Sequence, residues 1–266
     1  MMLAWAGNTL AGQYAASQAP LLVNGVLQPS ALSMSTMTHP DFRGQGLLQL
    51  LGEALYDQLS QDDFTCAWGF PNPMINGTRQ KKLAWQPICD VPSLSLELER
   101  ARPENDSFEQ VKIADWDAFF SDADPEVPLG KIQSLRTAEI LKWRTNRNPI
   151  NTYSCFTTIL GNGECGYAVC KAFGENDLDL VELRTTGAET AGLLVDRAIA
   201  LAREKGIKQL NTWSLPCDEN RLVLERRGFA ATSPVTYFGG RSFSTSDTAF
   251  DDPRNWRLSM LDSDLY

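Results

Sequence analysis

The sequence predicts an α/β protein with a mixed sheet, organised as two tandem units of one plan. Three observations lead there. Short apolar runs of strand length recur between Gly-, Asn- and Pro-rich turns. Two longer stretches, residues 47–59 and 190–205, place apolar residues at helical i, i+3, i+4, i+7 spacing. The order of hairpin, strand, helix, strand and helix occurs twice, on either side of a charged segment around Pro103.

In the first unit, residues 2–6 and 10–17 read as a hairpin across Gly7-Asn8, and 32–38 as a strand. A helix follows over 46–60, carried by Leu47, Leu48, Leu50, Leu51, Ala54, Leu55 and Leu59. Residues 64–70 read as a strand, 75–83 as a helix and 93–98 as an alternating strand. The segment 99–107 is charged and aperiodic and reads as a linker. Beyond it, residues 132–145 read as helical. Residues 151–160 and 166–173 form a hairpin across Gly161-Asn162-Gly163, and 178–183 a strand. A helix over 190–205 stops at Gly206; 209–215 reads as a strand and 218–227 as a helix ending at Gly228-Phe229. The expected boundaries are 1–98 for the first unit, 99–110 for the linker, 111–240 for the second unit and 241–266 for a C-terminal extension over the surface.

Composition narrows the class. Hydrophobic residues at 43% and charged residues at 21% are ordinary for a globular chain. A net charge of -9 argues against nucleic acid or an anionic membrane as partner, though backbone amides can still hold an anionic cofactor. The six cysteines form no C-x-x-C pair, and the single histidine, His39, has none beside it, so no metal is expected. They read as reduced thiols of a cytoplasmic protein. Residues 1–10 lack the pattern of a signal peptide, and no segment has the length to span a bilayer.

The most informative stretch is Thr36-Met37-Thr38-His39-Pro40-Asp41-Phe42-Arg43-Gly44-Gln45-Gly46-Leu47-Leu48. A strand ends, the chain turns at Pro40, and two glycines bracket one residue before an amphipathic helix. Glycine admits positive φ and close approach of a ligand to the backbone. The first helix turn offers unpaired N–H groups and the positive end of the dipole. Together these make a pyrophosphate cradle from about Gly44 to Leu48, with Arg43 adding charge.

Pro40-x-x-Arg43-Gly44-x-Gly46 between a strand and a helix resembles the acyl-CoA-binding motif of the GCN5-related N-acetyltransferases (GNAT), and the element order around it fits for about ninety residues. The resemblance implies two tandem GNAT-like units, the first without the family's usual N-terminal helices, either because it is trimmed or because the chain starts late. It implies acetyl-CoA as co-substrate, touched by Met37, Thr38, Arg43, Gly44, Gln45, Gly46, Leu47 and Leu48. Asn72 matches the Asn at the end of the next strand, where a contact to the cofactor's thiol end and a turn-forming role are both open. Leu48 stands where the family often has Gly or Ala. Gln80 stands where it often has the tyrosine acid, counted back from Ala84-Trp85, and Gln has no titratable proton. His39 is the candidate base, with a turn or packing role as its alternative; Glu53 reads as a solvated face.

In the second unit the corresponding stretch, 184–192, lacks Arg-Gly-x-Gly and places Glu189 where a phosphate would sit, so this unit reads as one that has lost its cofactor site. It is expected to shape the acceptor groove, with Trp143, Arg144, Asn148, Pro149 and Tyr153 as acceptor-side or packing residues. The whole pattern is similar to bacterial GNAT proteins associated with surface-polysaccharide synthesis. That likeness implies transfer of an acetyl group to a primary amine, with an amino sugar as first candidate. Aminoacyl transfer to cell-wall precursors and acylation of a thiol's amino-sugar precursor stay open. The alternative from another class is a non-catalytic module that binds acyl-CoA or a protein, or a structural lobe without cofactor.

Overall fold

The computed structural model describes residues 1–123, 131–243 and 250–264. The chain divides into two compact units, one of residues 1–90, 128–135 and 236–256, the other of 91–127, 136–235 and 257–266.

The first unit opens with a hairpin of β1 (Met2–Ala6) and β2 (Thr9–Gln18), turning at Gly7 with φ of 60°. Two short strands follow, β3 (Leu21–Val23) and β4 (Val26–Gln28), before β5 (Ser30–Thr38) pairs antiparallel with β2. Helix α1 (Leu47–Gln61) turns Leu51, Leu55, Tyr56 and Leu59 inward, while Leu50, expected in the apolar stripe, is 61% exposed. Strand β6 (Cys66–Gly69) then runs parallel to β5, and α2 (Pro73–Lys82) leads to β7 (Gln86–Glu97). The core of this unit gathers Tyr14, Ala31, Leu51, Leu55, Tyr56, Leu83 and Trp85.

The chain continues through β8 (Val111–Ile113) and α3 (Trp116–Asp122). The helix expected over 132–145 is replaced by a strand, β9 (Ile132–Ser134), a single turn α4 (Ala138–Leu141) and a wide π-type turn over Lys142–Asn146. The reason is tertiary: β9 pairs antiparallel with β3, burying Ile132 and Gln133, and Thr137 Oγ1 caps α4 by accepting from the Ile140 amide at 3.2 Å.

The second unit holds β10 (Tyr153–Ile159), β11 (Cys165–Phe173), β12 (Asp177–Thr185), α5 (Ala188–Glu204), β13 (Gln209–Trp213) and α6 (Arg221–Arg226). Its sheet runs β7-β13-β12-β11-β10-β8, with β12 and β13 parallel. Helix α5 is buried along most of its length, with Ala191, Leu194, Val195, Ala198, Ile199 and Ala202 in the core. A last strand, β14 (Ala230–Ser242), lies beyond the elements read from the sequence; its residues 239–242 pair antiparallel with β6.

The C-terminal stretch departs from the expected surface extension. Residues 244–249 and 265–266 lie outside the described residues, but Trp256, Leu258, Met260 and Leu261 are all buried. In the first unit Trp256 packs edge-on against Phe238 at 4.7 Å and near Trp68 at 6.2 Å. In the second, the Asp262 carboxylate accepts from Arg136 at 2.6 Å. No helix among the described residues is long and apolar enough to cross a membrane, and no group of metal-ligating side chains forms among them.

Candidate functional site

The site begins with how β5 and β6 pair. Their parallel register covers only Ser30, Ala31 and Leu32 against Cys66, Ala67 and Trp68. Strand β6 ends at Gly69, and the chain leaves through Pro71 into α2. Gly69 still lies against Ser33, but residues 34–38 of β5 run on past the end of β6, which leaves that edge of β5 without a paired strand. On its other edge β5 carries a bulge: Tyr14 faces Thr36 and Ala16 faces Ser33, so Met34 and Ser35 oppose the single Ala15. An extra residue in one strand increases its local twist, while β5 stays paired with β2 as far as Thr38.

The loop after β5 is built by local chemistry. His39 begins a short 3₁₀ turn over Pro40–Phe42, and its Nδ1 accepts from the Asp41 amide at 3.3 Å. Its ring meets Phe42 edge-on at 5.7 Å. The Arg43 Nε–H donates to Thr38 O at 3.5 Å, and Gln45 Nε2 to Asp41 O at 3.4 Å, folding the loop on itself. Gly44 and Gly46 have φ of 77° and 78°, the left-handed region that a side chain resists, and a Cβ at either would meet open space. Gly46 is the N-cap of α1, with no side-chain cap bond. The amides of Leu47, Leu48 and Gln49 are those an α-helix leaves unpaired. The arrangement offers several N–H donors at the positive end of a helix dipole, beside exposed space: a cradle for an anion.

The remaining sequence candidates divide. Met37 and Thr38 lie on the stretch of β5 that β6 leaves open. Asn72 caps α2, its Oδ1 accepting from the Ile75 amide at 3.1 Å, which is the turn role of its two alternatives. Gln80 donates to Asn76 at 2.9 Å on the same helix. His39 Nδ1 accepts from the Asp41 amide within the turn. Arg144 donates to the carbonyls of Leu261 and Ser263, and Asn148 Oδ1 accepts from the Ile150 and Asn151 amides.

A further group, with no place among the sequence candidates, packs against the unpaired stretch of β5. Arg79 of α2 is 3% exposed, and its Nη2 donates to Thr36 Oγ1 at 3.4 Å. Its guanidinium lies 4.7 Å from the Trp85 ring and 5.5 Å from that of Tyr14. Beside it, Tyr14 and Tyr56 share a 2.7 Å hydrogen bond, and Trp85 Nε1 donates to the Tyr56 hydroxyl at 2.7 Å. Burial, reinforced by Tyr14, pushes the Tyr56 hydroxyl far above the ordinary tyrosine range, so it does not ionise. The signal for Arg79 was its spacing: it stands midway between Ile75 and Leu83, at i+4 from one and i−4 from the other.

In the second unit β12 and β13 also pair in parallel over three residues, with Asp177, Leu178 and Asp179 against Gln209, Leu210 and Asn211. The start of α5 nevertheless differs from that of α1. Its N-cap, Gly187, has an extended φ of -161°, and the Glu164 carboxylate reaches it from the β10–β11 turn. Glu164 Oε2 accepts from the Thr190 amide at 3.3 Å and from the Thr190 hydroxyl at 3.1 Å. Glu189 does lie in the first turn, as the sequence has it, but the carboxylate that caps the amides is Glu164.

No protein-family model matches the chain, and no curated protein matches it. Solved structures do. A conserved protein of unknown function from Enterococcus faecalis V583, described as a probable N-acyltransferase, is 14% identical with a TM-score of 0.67, over 88% of this chain and 60% of its own. A GCN5-related N-acetyltransferase from Kribbella flavida is 15% identical with a TM-score of 0.65, over 89% of this chain and 58% of its own. One from Anabaena variabilis ATCC 29413 is 13% identical with a TM-score of 0.68, over 91% of this chain and 62% of its own. The chain thus spans about three fifths of the length of these structures. At such identity the likeness establishes the mixed α/β fold they share, and the fold alone.

Proposed function

We propose that the chain is an acyl-CoA-dependent N-acyltransferase of the GCN5-related kind, moving an acetyl group from acetyl-CoA to a primary amine. In this reading it carries two tandem GNAT-like units, 1–98 and 111–240, and the first alone holds the co-substrate. The observation that carries it is a coincidence of place. The pairing of β5 with β6 ends at Leu32 and Trp68, and β5 runs on alone at that edge into the short turn, the left-handed glycines and the uncapped start of α1.

The residues present fit a CoA ester. Amides from Gly44 to Leu48 suit the pyrophosphate, with Arg43 adding charge, and Met37 and Thr38 border the pantetheine arm. The free edge of β5 supplies amides to an oxyanion. The amine nitrogen attacks the thioester carbonyl, its extra proton passes to solvent water, the tetrahedral oxyanion collapses, and the C–S bond breaks to release the CoA thiolate. A thiolate leaves without a strong acid, which suits Gln80 at the position of the family's tyrosine. His39 is left in its capping role, and the amine enters unprotonated.

A second reading, a non-catalytic acyl-CoA-binding module, is favoured by that same pair of observations: Gln80 has no proton to give, and His39 Nδ1 is engaged. Release of free thiol from acetyl-CoA on adding a panel of primary amines, amino sugars first, separates the two. Thiol release that depends on the amine supports the enzyme. Binding of acetyl-CoA without release across the panel leaves the module.

A further inference from the structure

Among the described residues, four buried side-chain polar atoms have no hydrogen-bond partner, and the two in the first unit are Ser33 Oγ and Arg79 Nε. Both lie where β5 runs past its pairing with β6. Ser33 is the first residue of β5 past its pairing with β6, and Arg79 reaches Thr36, three positions on. The bulge places Ala31, Ser33 and Thr36 on one face: Ala31 packs in the core with Tyr14, and Thr36 lies opposite Tyr14 in the ladder.

Arg79 is buried, and none of the ion pairs among the described residues includes it. The rings of Trp85 and Tyr14 compensate part of its desolvation, but a guanidinium out of water calls for an anion. Ser33 can donate and Arg79 can only donate, while Thr36, whose hydroxyl donates to Met34 O at 3.3 Å, positions the guanidinium by accepting from it. An acetyl group has no charge to offer them. A carboxylate, with two oxygens that accept from several donors, does.

We propose that Arg79, with Ser33 and Thr36, recognises a carboxylate at the far end of the transferred acyl group, so that the preferred donor is a dicarboxylic acyl thioester. This rests on the acyl-CoA reading above and narrows its acyl class. The same chemistry could come from an amino-acid acceptor, and the experiment separates the two sources.

Calorimetric titration of the full chain with succinyl-CoA and with butyryl-CoA compares chains of equal carbon count that differ by the carboxylate. The wild type should bind succinyl-CoA about tenfold tighter or more. Arg79→Met, which keeps the apolar stem, should remove that preference and leave butyryl-CoA binding within about threefold. Equal affinities in the wild type, or a preference that survives Arg79→Met, overturn the proposal. So does an Arg79-dependent preference found only among amino-acid ligands added with butyryl-CoA. Should Arg79→Met not fold, Ser33→Ala and Thr36→Val replace it, and an unreduced succinyl preference in both counts against the site. Failure of every CoA ester to bind the wild type sinks the acyl-CoA reading itself, whereas butyryl-CoA binding without a succinyl preference sinks this proposal alone.

Discussion

The Glu164 carboxylate closes the N-terminus of α5 by accepting from both the amide and the hydroxyl of Thr190. It supplies in cis the negative charge that a helix start favours, and a ligand anion would have to displace it. Glu164→Ala should lower stability by about 1–2 kcal/mol in chemical denaturation, the usual loss on removing a cap. No change would mean that water serves the Thr190 amide equally well.

Gly187 sets a second test of the same contact. A Cβ there would fall 2.1 Å from the Glu164 carboxyl carbon. Gly187→Ala should therefore displace Glu164, and its stability loss should overlap with that of Glu164→Ala. In a double-mutant cycle the pair should be less than additive; strict additivity would contradict the coupling.

Glu182 is enclosed in the second unit by Arg136 at 3.0 Å and Arg184 at 3.1 Å, with the Tyr167 hydroxyl donating at 3.1 Å. Burial alone would raise its carboxyl, but Arg136 and Arg184 outweigh burial and hold it below the usual carboxylate range. Glu182→Ala removes the buried carboxylate that Arg136 and Arg184 share, leaves Arg136 its pair with Asp262, and should cost about 3 kcal/mol by denaturant titration. With a depressed folded value, the stability from Glu182 is present above the unfolded value near 4.5 and fades as pH falls below it.

Asp179, three positions earlier on β12, has the opposite sign. Burial pushes its carboxyl up to about 6, while the Asn211 side chain, donating at 3.3 Å, pulls it back. The folded state then holds a proton that the unfolded state releases between pH 3.8 and about 6. Its contribution to stability therefore falls as pH rises through that window, by at most about 1.4 kcal/mol per pH unit. Asp179→Asn should flatten that part of the stability profile; an unchanged slope would show that Asp179 does not carry it.

What the sequence made legible was local. The loop after β5 could be read because Pro40, Gly44 and Gly46 act through their own backbones, and α1 and α5 because their stripes repeat. The free edge of β5 could not be read, since where a parallel register stops depends on two strands. Glu164 lies 26 residues from Thr190, and no spacing rule joins them. Arg79 sat at a core position of α2 but was masked by its charge. The helix expected over 132–145 failed because pairing with β3 overrode a helical pattern. The tail misled through its Ser, Asp and Thr content, although Trp256, Leu258 and Met260 alternate as buried strand-like residues do.

The most direct measurement is calorimetric titration of acetyl-CoA into the wild type and into Gly46→Glu. The wild type should bind saturably. Gly46→Glu, which puts a carboxylate and a strained left-handed residue at the start of α1, should lose binding, while Glu164→Ala in the second unit should leave it unchanged. No binding to the wild type, or equal binding to Gly46→Glu, would contradict the acyl-CoA reading.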